Sequence, residues 1–394
     1  MGDNNNKLGF VGEKVKLKEV CHILNGYAFR SEKYVDEGIR VIRISNVQKG
    51  YIEDEKPQFY PEDEGENIKD YLLQENDLLL SLTGNVGRVA LLKKKYLPAA
   101  LNQRVACLRE NASAIRKKYL YYILLTNRFE NECIASAKGI AQKNMSTEWL
   151  KDYSILLRPF VEQDWIIMIF DKLSLLIRDR SQQLEWLDTL IKARFVEMFG
   201  DPVSNSFNLP EKTLPELGEF GRGVSKHRPR NDPSLLGGKY PLIQTGEVAS
   251  AGLYIDSYCN TYSELGLQQS KMWEKGTLCI TIAANIAKTA ILKFDACFPD
   301  SVVGFKAKDD ANNIFIHYWF TFFQAILESQ APESAQKNIN LKILSELKVI
   351  APKKARQDEF ATFVAQVNKS KVAVQKSLDE LQILFDSLMQ EYFG

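Results

Sequence analysis

Two stretches of the chain carry apolar residues at alternating steps of three and four. In the first, from about Glu162 to Phe199, they stand at Ile166, Phe170, Leu173, Ile177, Leu184, Leu187, Ile191 and Met198, with Arg180 and Arg194 in the skipped slots. In the second they stand at Phe360, Val364, Val367, Val374, Leu378, Leu381, Phe385, Leu388 and Tyr392, with Lys371 in the skipped slot. Such a repeat, sustained over heptads, predicts a long helix whose stripe meets another helix. Two matching stripes of equal length predict that they meet each other. Phe170, Leu173, Ile177, Leu184, Leu187 and Ile191 then face Val364, Val367, Val374, Leu378, Leu381 and Phe385. A whole module lies between the stripes, so either direction is open, and symmetry favours antiparallel. Gly200 and then Pro202 stop the first helix. At 1.5 Å per residue it is roughly 57 Å long.

Outside these stripes the period changes. The runs IRVIRI, DLLLSL, TLCITIA and SVVGFKA are short, apolar and partly β-branched, and read as strands. Lys118 to Asn131 and Ile314 to Glu328 read as helices.

The pattern also repeats. SLTGNVGRVALL (Ser81 to Leu92) matches TIAANIAKTAIL (Thr281 to Leu292), and RISNV (Arg43 to Val47) matches QTGEV (Gln244 to Val248). AQKNMSTEWL (Ala141 to Leu150) matches AQKNINLKIL (Ala335 to Leu344), and the helices end in VEMFG and QEYFG. A period near 195 residues means two copies of a module rather than a solenoid. The expected fold is α+β: two tandem mixed α/β domains, residues 1–160 and 201–353. A long antiparallel two-helix coiled coil, 161–200 with 354–394, separates them.

Composition narrows the class. A hydrophobic fraction of 45% and a charged fraction of 26% are ordinary for a globular protein. No apolar run is long enough to cross a bilayer, and MGDNNNKLGF lacks a signal peptide's apolar core, so a cytoplasmic protein is expected. Cys21, Cys107, Cys133, Cys259, Cys279 and Cys297 form no CxxC pair and are expected as buried thiols. Only three histidines are present, none with a partner at metal spacing. The net charge of +1 hides a segregation. Residues 162–199 carry five basic against seven acidic groups, and 357–393 three against six, so the modules outside the helices are basic.

Catalytic signatures are absent. There is no GxSxG elbow, no GxxxxGK[ST] loop and no Asn/Asp-Pro-Pro-aromatic motif of base methylation. TGNVG becomes AANIA in the second copy, which fits a tight turn better than a phosphate cradle. Pro299-Asp300 lacks a following carboxylate-x-Lys, and PEDEGE reads as a solvated loop. The chain is expected not to be an enzyme and to bind no cofactor or metal.

The modules do carry residues suited to base edges and phosphates: Arg and Lys for guanine, Asn and Gln for adenine. In the first these are Asn25, Tyr27, Arg30, Arg43, Ser45, Asn46, Asn85, Arg88, Asn102, Gln103, Arg104 and Lys143. In the second they are Arg222, Lys226, His227, Arg228, Arg230, Gln244, Thr245, Glu247, Asn285, Lys288, Ser301 and Lys337. Taken singly, each is commoner as surface decoration than as a contact. Segments shared by the copies are expected to be frame. Segments that differ, such as NGYAFRSEKY against RGVSKHRPRND, are expected to be readers.

With ENDLLLSLTGNVG and KGTLCITIAANIAKT, the KNMSTEWL and KNINLKIL segments, SKHRPRND, GGKYPLIQTGEV, FPDSVVGF and the helices ending in MFG and YFG, the whole chain resembles the specificity subunit of type I restriction–modification systems. The resemblance implies a non-catalytic subunit whose two recognition domains each read half of a bipartite, asymmetric target in double-stranded DNA. It implies helices that set the spacing and dock two methyltransferase subunits, which bind S-adenosylmethionine, and two nuclease/translocase subunits, which use ATP and Mg. Two other readings predict different chemistry. A coiled-coil scaffold with protein-binding ends would show no sequence-dependent DNA binding, and a single-chain nuclease would cleave DNA alone with a metal.

Overall fold

A computed structural model of the chain describes residues 12–137, 144–227, 229–230, 232–283, 285–329 and 339–394. Two compact units emerge: residues 1–180 with 377–394, and residues 181–376. The long helices, Phe160–Phe199 and Lys354–Phe393, each contribute to both units.

In the first unit a four-stranded antiparallel sheet runs in the order β2 (Cys21–Asn25), β8 (Val105–Glu110), β5 (Leu78–Ser81), β6 (Val89–Leu91). A smaller sheet has β3 (Ile39–Ile42) between β4 (Phe59–Tyr60) and β7 (Ala99–Leu101), with β3 and β7 parallel. A terminal pair joins β1 (Glu13–Lys16) to β9 (Ser154–Leu157).

The second unit repeats this. Its larger sheet runs β11 (Gly218–Arg222), β19 (Val302–Ala307), β16 (Leu278–Thr281), β17 (Thr289–Leu292), β13 (Tyr254–Ile255). The smaller runs β14 (Asn260–Tyr262), β12 (Leu236–Leu242), β18 (Ala296–Cys297), β15 (Met272–Trp273), again with one parallel step, β12 to β18. The pair β10 (Glu211–Thr213) and β20 (Lys348–Ile350) closes it.

The central strands are apolar throughout because both of their faces are covered. Leu78 and Leu80 face one core, which contains Phe170 and Tyr392 of the long helices, whereas Leu79 faces a second core against the smaller sheet. Leu278 and Ile280 likewise face Phe195 and Phe360, and Cys279 faces the other side. Each unit is therefore layered as helices, larger sheet, smaller sheet.

The helices pair antiparallel. In the first unit Phe170 meets Phe385 with ring centroids 5.2 Å apart; in the second Phe195 meets Phe360 at 5.3 Å, and Lys371 bridges to Asp188 at 2.6 Å. Of the predicted interface, Phe170, Leu173, Ile191, Val364, Val367 and Val374 are buried. Ile177, Leu184, Leu187, Leu378, Leu381 and Phe385 are half-buried, and of these Leu187 and Phe385 also pack against the cores of their units. Strict heptad spacing places Arg194 in the seam, but Phe195 occupies it, fully buried, and Arg194 reaches outward to Glu197 and Glu359. There the helix must cover a sheet as well as its partner, which widens the apolar face to Ile191, Phe195, Met198 and Phe199.

Two other expectations differ. The helix expected over 118–131 is two, Lys117–Leu124 and Asn127–Ser136, because the Thr126 hydroxyl caps the second by accepting from Phe129 N at 3.1 Å. Cys259 is exposed rather than buried; the other five thiols are buried and burial raises their pKa. Among the described residues no helix is long and apolar enough to cross a membrane.

Candidate nucleic-acid interface

Three loops converge at one end of each smaller sheet. In the first unit they follow β2, follow β3, and connect β7 to β8. Backbone bonds tie them: Tyr27 N donates to Leu101 O at 2.8 Å, Gln103 N to Tyr27 O at 2.9 Å, and Asn102 N to Ile42 O at 3.2 Å. The approach is so close that Gly26 has no room for a Cβ beside Asn102 and Leu101. Arg30, Ser45, Gln103 and Arg104 are exposed here, and Arg43 is half-buried with Nη2 on Lys56 O at 3.2 Å. The loops thus gather Arg30, Arg43, Ser45, Gln103 and Arg104 of the first module's candidates into one wall. Tyr27 packs edge-on against Phe29 at 5.1 Å, which fixes its ring.

The second unit builds the same wall. Gly223 abuts the carbonyls of Phe298 and Pro299 as Gly26 abuts those of Leu101 and Asn102. Here the wall bounds a cleft of about 360 Å³ lined by Ser225, Arg230, Gln244, Thr245, Asn260 and Ser301. Four of the predicted readers share it: Arg230, Gln244, Thr245 and Ser301. Asp300 holds the Arg230 guanidinium at 2.5 Å. Gln269 fixes the preceding basic loop, accepting from the backbone N–H groups of Lys226 at 2.7 Å and His227 at 3.1 Å. Asp232 carries His227 Nε2 at 3.3 Å, and hydrogen bonds from Ser234 lower its pKa. Gln269 and Asn260 had no sequence signal, and Asp300 stood out only as part of an incomplete nuclease motif: Gln269 lies 43 residues from Lys226.

Burial separates frame from wall. Asn46 is buried: its Oδ1 accepts from Arg43 N at 2.9 Å and its Nδ2 donates to Glu53 O at 2.8 Å. Glu247 does the same work, accepting from Gln244 N at 3.0 Å. Asn102 is buried and accepts from Arg104 N at 3.2 Å. All three shape the loops from within, whereas the side chains around them face outward.

The echoed turn adjoins the wall, with Leu82 N on Arg104 O and Ile282 N on Ser301 O, and is closed alike in both copies. Ser81 Oγ donates to Asn85 O and accepts from Arg88 N at 3.1 Å; Thr281 Oγ1 does the same with Asn285 O and Lys288 N, also 3.1 Å. Met145 and Ile339 dock on it identically, Met145 N to Leu82 O and Ile339 N to Ile282 O, both 2.9 Å. Asn85 and Asn285 are exposed at the tip, Arg88 bonds Gln48, and Lys288 is half-buried. Asn25 and Arg222, at the ends of β2 and β11, are exposed. Lys143, Arg228 and Lys337 lie outside the described residues. Among the described residues no cluster of His, Cys, Asp and Glu could hold a metal.

A profile of the "Type I restriction modification DNA specificity domain" matches residues 12–186 and again 211–382. The chain is 32% identical over 165 residues to the type I restriction enzyme EcoAI specificity subunit of Escherichia coli, covering 41% of this chain and 28% of that protein. It is 30% identical over 180 residues to the MjaVIII specificity subunit of Methanocaldococcus jannaschii, covering 44% and 42%. It is 21% identical over 411 residues to the EcoBI specificity subunit of Escherichia coli, covering 96% and 83%. The matches thus span less than half of the first two relatives. A type I restriction–modification S subunit from M. genitalium has the same fold, with a TM-score of 0.59 at 17% identity over 100% of this chain and 98% of that one. So does a chain from a structure described as the basis of "complex assembly" of a type I R-M system, with a TM-score of 0.56 at 17% identity and 97% coverage of both.

Proposed function

The chain belongs to the type I restriction modification DNA specificity family, and from that premise we propose that it reads a bipartite, asymmetric target in double-stranded DNA, one half with each unit. The observation that carries this reading is the repeated wall. Both units hold the same three loops, each with a glycine against the loop carbonyls and with Leu82 N on Arg104 O matched by Ile282 N on Ser301 O, yet present different side chains: Arg43, Gln103 and Arg104 in one, Gln244, Asp300 and Ser301 in the other. Different donor and acceptor sets on one frame are what two unlike half-sites require. A few base pairs at ~1–3 kcal/mol each select too weakly against a genome, so both halves are needed at once.

In this reading the chain performs no chemistry. The long helices fix the spacing between half-sites and dock two methyltransferase subunits. Apolar residues on those helices are available for docking, with Val161, Trp186, Val372 and Ile383 all more than half exposed. S-adenosylmethionine would serve the methyltransferase partners, and ATP with Mg two nuclease/translocase partners.

The test is to map methylated adenines in cells carrying the chain with its methyltransferase partner. A bipartite motif is expected, and scattered or non-bipartite methylation would refute the reading. Inserting seven residues into both helices adds about 10 Å, the axial rise of roughly three base pairs. The spacer should lengthen while both half-sites stay the same.

A further inference from the structure

A second cavity of the second unit lies on the helix side of its larger sheet. It has a volume of about 310 Å³ and is lined by Lys192 of the first long helix, Asn368 and Lys371 of the second, and Lys288 of the echoed turn. Asp188 is the one carboxylate in the lining, and it is held by Lys371 at 2.6 Å. Lys192 is exposed and Lys288 half-buried, and among the described residues neither is paired with a carboxylate. The Asn368 Nδ2 is buried with no acceptor. His317 also lines the cavity; burial, then the adjacent Lys371, lower its pKa to about 4, so it is neutral near pH 7 and adds no positive charge.

Two uncommitted ammonium groups and an unsatisfied amide form a set of donors only. That set suits an anion offering several acceptor oxygens. Its position says which. The short helix Thr245–Ser250 has Gln244 and Thr245 in the reading cleft at its start, and Val248 and Ala249 in the lysine cavity. Six residues of helix rise about 9 Å. Along one DNA strand successive units rise 3.4 Å, so a phosphate two or three nucleotides from a base at Gln244 comes within reach of the cavity.

The first unit has a cavity of about 250 Å³ at the matching place, lined by Lys49, Arg128 and Asp386, but not the uncommitted donors: Glu130 holds Lys49 at 2.7 Å and Glu132 holds Arg128 at 3.0 Å. Aligning the two long helices end to end, Phe160 with Lys354 and Phe199 with Phe393, pairs Lys192 with Asp386, Lys371 with Ile177 and Asn368 with Ser174. Arg88, which matches Lys288, is turned onto Gln48.

We propose that this cavity is a phosphodiester site that grips the DNA backbone beside the half-target read by the second unit. The proposal rests on the DNA-recognition reading above. The test uses the chain in complex with its methyltransferase partner, measuring affinity for target and non-target duplexes across a salt series. Lys371 is left intact because it ties the helices together. The double variant Lys192→Gln, Lys288→Gln should weaken both duplexes by the same factor, and lower the slope of log affinity against log salt by about one per lysine. The methylated sequence should not change, and Lys288→Arg should keep the wild-type slope. A wild-type complex that reads its target, with a double variant of unchanged slope and affinity, would overturn this proposal alone. Binding of inorganic phosphate lost in the double variant, with DNA binding intact, would overturn it in favour of a free-anion site. A wild-type complex without sequence-dependent binding would remove the recognition reading and this proposal together.

Discussion

Gly223 and Gly26 give the repeated wall its most direct test. An alanine Cβ at 223 would lie 2.6 Å from Phe298 Cδ2 and closer still to the carbonyl oxygens of Phe298 and Pro299. Carbon atoms normally rest ~3.5–4.0 Å apart, so the strand end and the loop through Ser301 must part by about 1 Å. At Gly26 the added Cβ would lie 2.5 Å from Leu101 O, against a usual C···O distance of ~3.3 Å, and again about 1 Å is needed. Overpacking of this kind costs ~1–3 kcal/mol, which a unit with its own layered cores can absorb. The wall cannot absorb it so easily, because Ser225 and Ser301 lie on the two parts being separated while Gln244 stays with a third. Losing one good base contact at ~1–3 kcal/mol corresponds to roughly 5- to 150-fold in discrimination. Gly223→Ala should therefore relax one half of the target and Gly26→Ala the other. Methylation mapping, with competition by duplexes mutated in one half at a time, reads this directly, and thermal unfolding confirms that the variants fold. The reasoning fails if both variants relax the same half, or if either relaxes both halves equally.

Three further outcomes are expected. His317, bonded through Nδ1 to Thr289 Oγ1 at 2.9 Å, has its pKa lowered from 6.5 to about 4 by burial. The unfolded chain then binds the extra proton first, so stability is full above pH 6.5 and is lost as pH falls towards 4, by about 2 kcal/mol between pH 7 and 5. Urea unfolding at both values should show this loss, and His317→Gln should reduce it; equal losses would refute the assignment. Ala287 holds φ at +57° where the first copy has Gly87 at +87°; Ala287→Gly should relieve ~1–2 kcal/mol of strain and raise the melting temperature, and a lower one would count against it. Trp186→Glu, at a position 65% exposed, should weaken co-purification with the methyltransferase while leaving the melting temperature unchanged, and undiminished co-purification would exclude that face.

The strands and long helices were legible because their burial is enforced by period. Leu78–Ser81 and Leu278–Thr281 are covered on both faces, so their apolar runs are unbroken. The heptads revealed Phe170 and Val364 but concealed Phe195. A fixed 3.5-residue step assumes one neighbour, and this part of the helix has two. Within the wall, residue type alone could not divide Asn46 from Ser45 or Glu247 from Gln244. All four are polar, and only the fold directs Asn46 and Glu247 onto backbone N–H groups. Gln269 was illegible for a simpler reason: its role exists only once 43 residues have been folded back on themselves.

That division has a consequence for how such a molecule can change its target. Bonds repeated in both units include several made by main-chain atoms alone. At the β7–β8 connection and its counterpart, Leu82 N donates to Arg104 O at 2.9 Å and Ile282 N to Ser301 O at 3.0 Å, so arginine and serine serve the frame equally. At the loop after β3 or β12 the constraint falls on the fourth residue, where asparagine or glutamate accepts from the first residue's N–H. The first residue's side chain, Arg43 or Gln244, plays no part in that bond. Substitution at these positions alters which donors and acceptors face the base edges while the main-chain N–H bonds to Asn46 and Glu247 remain. A frame held by its backbone can therefore keep its stability while the side chains that confer specificity vary, and two copies of it can read two unrelated half-sites.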